Sequence, residues 1–370
     1  MKVFVSLAEI SASNYIYHIF KDIRGFELYG ITDRKLESIG FKSVASIEDL
    51  SVVGIVEAIP KVPYVLRLYK KLEDLLPCMD AIILCDAPAF NLPLLKRIKG
   101  KVKKVIYFIS PQVWAWKSQR ANLISSLVDH LIVLFPFELE FYQAYRKRGF
   151  NIHYVGHPIV DIVKPTLSRE EVARILGSEN LLGLLPGSRW SEIKRHAPYL
   201  RKVYEMIYQE HGLFGALPTF ETFREFLEEI FHGLPVGLIT EKNSPTPSYD
   251  VMSYSVASLI ASGTADLEAS LLLNPHIVFY KVNPITYLIG KRLARVKNIA
   301  LTNLVLQKNA VPEVIQRGWK ELYFYSKKLL LEDKVRHAMV EDFKELRGLL
   351  GGYGVLDKLR ELFLSLLDKT

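Results

Sequence analysis

The sequence predicts an α/β protein made of two doubly wound, Rossmann-like domains in tandem, facing a cleft, with a helical C-terminus. Three observations carry this. The 370-residue chain is too long for one ordinary core, and its length suits two domains of roughly 150–200 residues each. Short apolar runs alternate with stretches of helical spacing along most of the chain, which is the order of a parallel sheet with crossover helices. The runs are rich in Val and Ile and lack polar alternation, as expected of a sheet buried on both faces.

The elements follow in order. VFVSLAE is a run of strand length, the small polar stretch 10–14 reads as a loop, YIYHIFKDI has helical spacing, and ELYGIT is a second strand. The alternation recurs in MDAIILCD (79–86) with the helix-like NLPLLKRIK, in KVIYFIS (104–110), in HLIVLF (130–135) with ELEFYQAYRKRG, and in NIHYVG (151–156). Pro158 and Pro165 bracket a linker, after which SREEVARIL opens a helix with a Ser168–Glu171 capping box. The domain boundary is placed there: 1–164, then 165–345, then a helical tail 346–370. In the second domain LLGLLPGSR (181–189), GLFGALP, PVGLIT, ASLIAS and HIVFYK supply strands, and EIKRHAPYLRKVYEMIYQEH a helix. Ligands of such sheets sit at the carboxyl ends of the strands.

Composition narrows the class. With 49% apolar and 24% charged residues the chain is not disordered, collagenous or fibrous. Two cysteines, Cys78 and Cys85, exclude a disulfide scaffold and match no zinc spacing, so reduced thiols are expected. The opening MKVFVSLAEI lacks the pattern of a signal peptide. No run of about 18 apolar residues exists, so no membrane-spanning helix is expected, and a reducing cytoplasm fits. The net charge of +8 is local: residues 61–148 hold 15 Lys and Arg against 7 Asp and Glu, and the remainder is balanced. Such a surface attracts an anion, whether nucleic acid, phosphorylated substrate or anionic lipid, or serves solubility alone.

Four loops carry more Gly, Ser, Arg and acid than a connection needs. In LLPGSR, Gly187 and Ser188 lead into a helix whose N–H groups favour an anion, and Arg189 adds a fork suited to phosphate. A plain strand-to-helix turn with a surface Arg has the same pattern. In ASGTADLEASL, Ser262, Gly263 and Thr264 open another helix, and Glu268 lies one turn in, where it suits ribose hydroxyls or the helix dipole. The two loops together read as a nucleotide-diphosphate site. Neither GxxxxGK[ST] nor GxGxxG is present, which excludes a P-loop and argues against a nicotinamide cofactor. In LCDAPAFN, Asp86 ends a strand and is either a general base or a helix cap. The first loop, with Glu9, Ser11 and Ser13, is a cleft loop or a cap. His157 in YVGHP is more simply structural than catalytic, and SPQVWAWK (110–117) either packs in the core or walls a pocket for sugar or acyl chain.

The motifs YFISPQVWAWK, FPFELEFYQ, YVGHP, LLPGSR, ASGTADLE and LTNL, with VVGIVE and DAPAFN, stand in the order found in lipid-A-disaccharide synthases, which the chain resembles over about residues 5–310. The resemblance implies a GT-B glycosyltransferase fold. It implies the joining of UDP-2,3-diacylglucosamine to 2,3-diacylglucosamine 1-phosphate, giving the β-1,6-linked disaccharide phosphate and UDP by a single inverting displacement. It also implies that no metal or other cofactor is needed, and it assigns Asn303 of LTNL and Glu268 to nucleotide-sugar contacts. The family's GEASGD is AEISAS here, keeping Glu9 and Ser11, and its DAPDFN is DAPAFN, leaving Asp86 as the base. A UDP-sugar epimerase, or another UDP-sugar-dependent enzyme of the same fold, is the alternative. A nucleic-acid-binding protein would leave the diphosphate loops unexplained, so no nucleic-acid partner is expected. A homodimer is compatible with the sequence.

Acylated substrates imply work at a bilayer. The segment VVGIVEAIPKVPYVLRLYKK (52–71) is the expected contact, through Val56, Ile59, Val62, Val65 and Leu66 with Lys61, Arg67, Lys70 and Lys71 beside them. The expected location is the cytoplasm, peripherally on the inner membrane. Packing of these apolar residues in the first domain's core is the alternative.

Overall fold

A computed structural model describes residues 1–50, 62–116, 119–282 and 298–368. The chain divides into two compact units, Met1–Pro158 with Leu350–Thr370, and Ile159–Leu349.

The first unit holds a seven-stranded sheet. Its strands are β1 (Lys2–Ser6), β2 (Glu27–Thr32), β3 (Lys42–Ser46), β4 (Ala81–Cys85), β5 (Val105–Phe108), β6 (His130–Val133) and β7 (Asn151–Tyr154). They lie in the order β3-β2-β1-β4-β5-β6-β7, every pair parallel. β4 is wholly apolar and buried, and β1 is buried from Val3 to Ser6, as the unalternated runs predict. The strand order reverses between β1 and β4, so the loops leaving these two strands flank a crevice at the carboxyl edge.

The second unit repeats the plan with β8 (Leu181–Leu185), β9 (Phe214–Pro218), β10 (Val236–Ile239), β11 (Ser255–Ala261), β12 (His276–Tyr280) and β13 (Glu313–Ile315). Their order is β10-β9-β8-β11-β12-β13, again all parallel. The switch point lies between β8 and β11.

The structure departs from the sequence reading in four places. Residues 10–14 are the first turns of the helix Ile10–Phe20, whose small polar residues do not interrupt it. The short strands β3 (KSVAS) and β13 (EVI) carry too few apolar residues to stand out. The second unit begins at Ile159, ahead of the boundary placed at 165: Arg347 of that unit donates to Val160 O at 3.3 Å, and further on the Thr166 and Leu167 N–H groups donate to buried Asp250 at 2.7 and 3.0 Å. The expected capping box does start the helix Arg169–Leu176, with Glu171 N–H on Ser168 Oγ at 3.2 Å and Ser168 N–H on Glu171 Oε2 at 2.7 Å. Last, the C-terminal stretch is no free tail. In the helix Val355–Asp368, Phe363 is fully buried against Phe20 and Phe108 at ring distances of 5.4 and 5.5 Å, inside the first unit.

Candidate active site

In the first unit Asp86 follows β4 directly, at the switch point. It and Ala87 both have left-handed backbone, with φ of 41° and 45°. Ile109, at the end of β5, does too, at 64°. Non-glycine residues in that region are strained, and such strain gathers at functional sites. What holds it is visible. The Asp86 carbonyl accepts from Tyr107 Oη at 2.7 Å and from Asn91 Nδ2 at 2.9 Å. Buried Asn91 also donates to Cys85 O at 3.0 Å and accepts from Ser6 Oγ at 2.6 Å, tying the ends of β1 and β4 together. The Asp86 N–H donates to the ends of β5, at Phe108 O (3.3 Å) and Ile109 O (3.2 Å). The N-cap of the following helix Pro88–Arg97 is Ala87, and no side chain caps that helix. Burial, and then the nearby Glu9 carboxylate, push the Asp86 pKa up to about 7, against a weaker opposing bond from Ala87.

Glu9 stands at the N-cap position of Ile10–Phe20, exposed, and its side chain makes no cap bond. Ser11 lies in that helix, its side chain outside the described residues. Ser13 is buried and donates to Asp33 at 2.6 Å, a structural role. His157 is buried between Tyr15 and Phe135, and burial pushes its imidazole down to about 3, so it is a neutral packing residue. The sequence reading missed Glu138. This residue is buried in the helix Pro136–Gln143 and accepts from Leu134 N, Phe135 N and Trp114 Nε1, each at 3.1 Å. A glutamate at the third position of a helix opened by proline is a legible signal that was available in FPFE.

In the second unit both expected loops sit at the β8/β11 switch point. Gly187 has φ of 115°, and a Cβ there would meet Glu192 Oε2 at 2.6 Å, so only glycine fits. Arg189 is the N-cap residue of the long helix Trp190–His211, and its side chain is 60% exposed. The Ser188 N–H, expected to be open, instead donates to Glu192 Oε2 at 3.2 Å. Glu192 Oε1 lies 3.5 Å from Arg189 Nη1 and accepts from Tyr280 Oη at 3.2 Å. Glu192 is a residue the sequence reading missed. Ser262, Gly263 and Thr264 lead from β11 into the helix Thr264–Leu271, with Gly263 and Thr264 exposed. Glu268 accepts from Tyr249 Oη at 3.2 Å, and burial pushes it up to about 7.

Asn303 does not present its amide to solvent. It is buried, donates to Val311 O and Glu313 Oε1 at 2.9 Å each, and accepts from Val311 N at 2.9 Å. Glu313 in turn accepts from Ile299 N and Ala300 N at the start of the helix Leu301–Leu306. Through these bonds Asn303 holds the segment Val311–Glu313 beside its own helix.

Of the expected membrane segment, Val56 and Ile59 lie outside the described residues. Val62, Val65 and Leu66 fall on the helix Val62–Leu75, which buries Leu68, Tyr69 and Leu72. Val62 and Leu66 are 49% and 53% exposed, beside exposed Arg67, Lys70 and Lys71. These two therefore lie on the surface rather than in the core. Among the described residues no group of His, Cys, Asp and Glu is placed to hold a metal ion, and no helix is long and apolar enough to cross a membrane.

The family model described as lipid-A-disaccharide synthetase matches residues 3–350. The chain is 46% identical to the lipid-A-disaccharide synthase of Aquifex aeolicus (strain VF5), over 99% of each chain. Solved structures similar to it include a co-structure of S. aureus MnaA with UDP, with a TM-score of 0.68, 12% identity, and 100% and 97% of the two chains covered. Another is UDP-GlcNAc 2-epimerase from Neisseria meningitidis bound to UDP-GlcNAc, with a TM-score of 0.65, 12% identity and both chains fully covered. At such identity these structures speak for the fold alone, and that fold is the GT-B type. Two doubly wound sheets, a whole-chain family match and close sequence kinship agree, and the chain belongs to the lipid-A-disaccharide synthetase family, the glycosyltransferases of lipid A biosynthesis.

Proposed function

We propose that the protein joins UDP-2,3-diacylglucosamine to 2,3-diacylglucosamine 1-phosphate, giving the β-1,6-linked disaccharide 1-phosphate and UDP in one inverting displacement. The observation that carries the chemistry is Asp86, a carboxylate on strained backbone at a topological switch point, with its pKa raised to about 7. A group of that pKa is half ionised near neutrality and well matched to general-base work. The acceptor's primary hydroxyl oxygen bonds to the anomeric carbon, its proton passes to Asp86, and the carbon–oxygen bond to the diphosphate breaks, its electron pair leaving with UDP.

The charge gained by the diphosphate needs preorganised donors. Gly187, Ser188, Arg189, Ser262, Gly263 and Thr264 supply them in the second unit. Glu268 is set to accept ribose hydroxyls, whose donation would bring its raised pKa back down. Glu9 and Ser11 line the acceptor side. Acyl chains cost roughly 0.8 kcal/mol per methylene exposed to water, so the reaction belongs at the cytoplasmic membrane surface, with Val62 and Leu66 and the adjacent cations as the described part of the contact.

Purified protein with both substrates, scored for the disaccharide by mass, tests this. An epimerase has the support of fold likeness alone, and UDP-sugar incubated without acceptor would then yield an epimer.

A further inference from the structure

The strained edge around Asp86 is stitched to its neighbours. The Asp86 N–H reaches Ile109 O at the end of β5, and the Ile109 N–H reaches Ile132 O of β6 at 3.2 Å. Beyond these strand ends the chain runs into two loops, one carrying Trp114 and the other Phe135. A single carboxylate joins them. Glu138 Oε2 takes the N–H groups of Leu134 and Phe135, and Oε1 takes the indole N–H of Trp114. Trp114 in turn packs edge-on against Phe137 at 4.8 Å, and Phe137 stacks on Phe135 at 5.3 Å. Glu138 is buried and has no cation beside it among the described residues. A cap on a surface helix needs neither that burial nor the link to another strand's loop.

We propose that Glu138 is a positioning residue for the transfer reaction, fixing the Trp114 wall of the acceptor site through one oxygen and the turn after β6 through the other. The proposal rests on the reading of Asp86 as the base. From the elements packed around it Glu138 faces the Asp86 carboxyl, the Tyr142 phenol of its own helix and the Tyr154 phenol of β7. Asp86 faces Glu9, Cys85 and Tyr107. Burial and, after it, the Asp86 charge raise the Glu138 carboxyl, whereas Asp86 is raised by burial and by Glu9. Burial holds the Glu138 carboxyl itself at about 7, so its charge and that of Asp86 develop over the same pH range.

The test compares Glu138→Gln and Trp114→Phe with the parent enzyme, reading acceptor KM, kcat and Tm. Glu138→Gln keeps one carbonyl oxygen but cannot accept from both the Trp114 indole and the Leu134 and Phe135 N–H groups, so acceptor KM should rise roughly fivefold with kcat changed less. Trp114→Phe keeps an aromatic ring but loses the indole donor, and should raise acceptor KM roughly fivefold with kcat changed less. Acceptor KM within about twofold of the parent in both variants, with only a lower Tm, would reduce Glu138 to a helix cap and overturn the proposal. If Glu138→Gln does not fold, the KM result from Trp114→Phe decides. Asp86→Asn, run alongside, separates the two levels: parent-like turnover in that variant removes the base assignment itself, whereas lost turnover there with a parent-like acceptor KM in Glu138→Gln and Trp114→Phe removes only the role of Glu138.

Discussion

The two units share one topology and present opposite chemistry at equivalent places. At the β1/β4 switch the edge carries carboxyls, Glu9, Asp86 and, behind them, Glu138. At the β8/β11 switch it carries glycine, hydroxyls, backbone N–H groups and Arg189. The first edge is tightly bonded and partly buried, so Asp86 and Glu138 are pushed up to about 7. The second is open, with Ser188, Arg189, Gly263 and Thr264 all exposed. A doubly wound sheet therefore dictates where chemistry can sit, while the loops decide whether the site takes a proton or stabilises an anion.

The change expected to break this contrast most is Asp86→Asn, which should lower kcat by about 10²–10⁴-fold with substrate affinity little changed. The parent's pH profile gives a companion readout. A base must be deprotonated to act, and the folded pKa lies near 7, so kcat/KM should rise with pH through that value and fall below it. A rate within a few-fold of the parent would show that the first unit's carboxyl edge is not the proton acceptor.

Next in size is Arg189→Ala, which removes a charged phosphate partner from the second edge. The loss should be on the order of 1.5–3 kcal/mol in UDP affinity, measured by titrating UDP into both proteins. Equal affinities would place Arg189 outside the phosphate site. A smaller effect is expected from Leu66→Ser. This side chain is 53% exposed, so the fold should lose less than about 0.5 kcal/mol. Sedimentation with anionic vesicles should weaken by roughly three- to tenfold, since about half of a leucine's burial is at stake. A lower Tm with unchanged sedimentation would return Leu66 to the core.

How much of this was legible depends on whether a feature is local. Strand runs such as AIILC and LLGLL, and the capping box at Ser168, depend on nearby residues and read correctly from the chain. The loops LLPGSR and ASGTADLE announced themselves by composition, and both lie at the second switch point. The strain at Asp86 and Ala87 did not, because it is imposed by Asn91, Tyr107 and the end of β5, which meet only in the folded sheet. Asn303 was assigned by resemblance alone, and its partners Val311 and Glu313, just before and at the start of β13, had no mark in the chain because that strand is too short to see. The return of Phe363 to Phe20 and Phe108 spans most of the chain and has no local mark at all.

The smallest predicted effect tests the one place where the open second edge is not fully open. Glu192 holds the Ser188 N–H at 3.2 Å and lies 3.5 Å from Arg189, the two donors that a diphosphate would use. Its carboxylate also fits the first turn of Trp190–His211, where the helix dipole favours negative charge by about 0.3–1 kcal/mol. An arriving diphosphate must displace it or share the site with it. Glu192→Gln removes the competing charge but keeps a carbonyl oxygen for the Ser188 N–H. UDP should then bind roughly two- to threefold more tightly, less than the Arg189 change because a neighbouring charge is removed while the phosphate partner stays in place. The helix start should weaken, seen as a slightly lower Tm. Tighter UDP with a lower Tm would mark Glu192 as a gate occupant of the anion site. Weaker UDP would instead show that Glu192 supports the site by holding Arg189 in place.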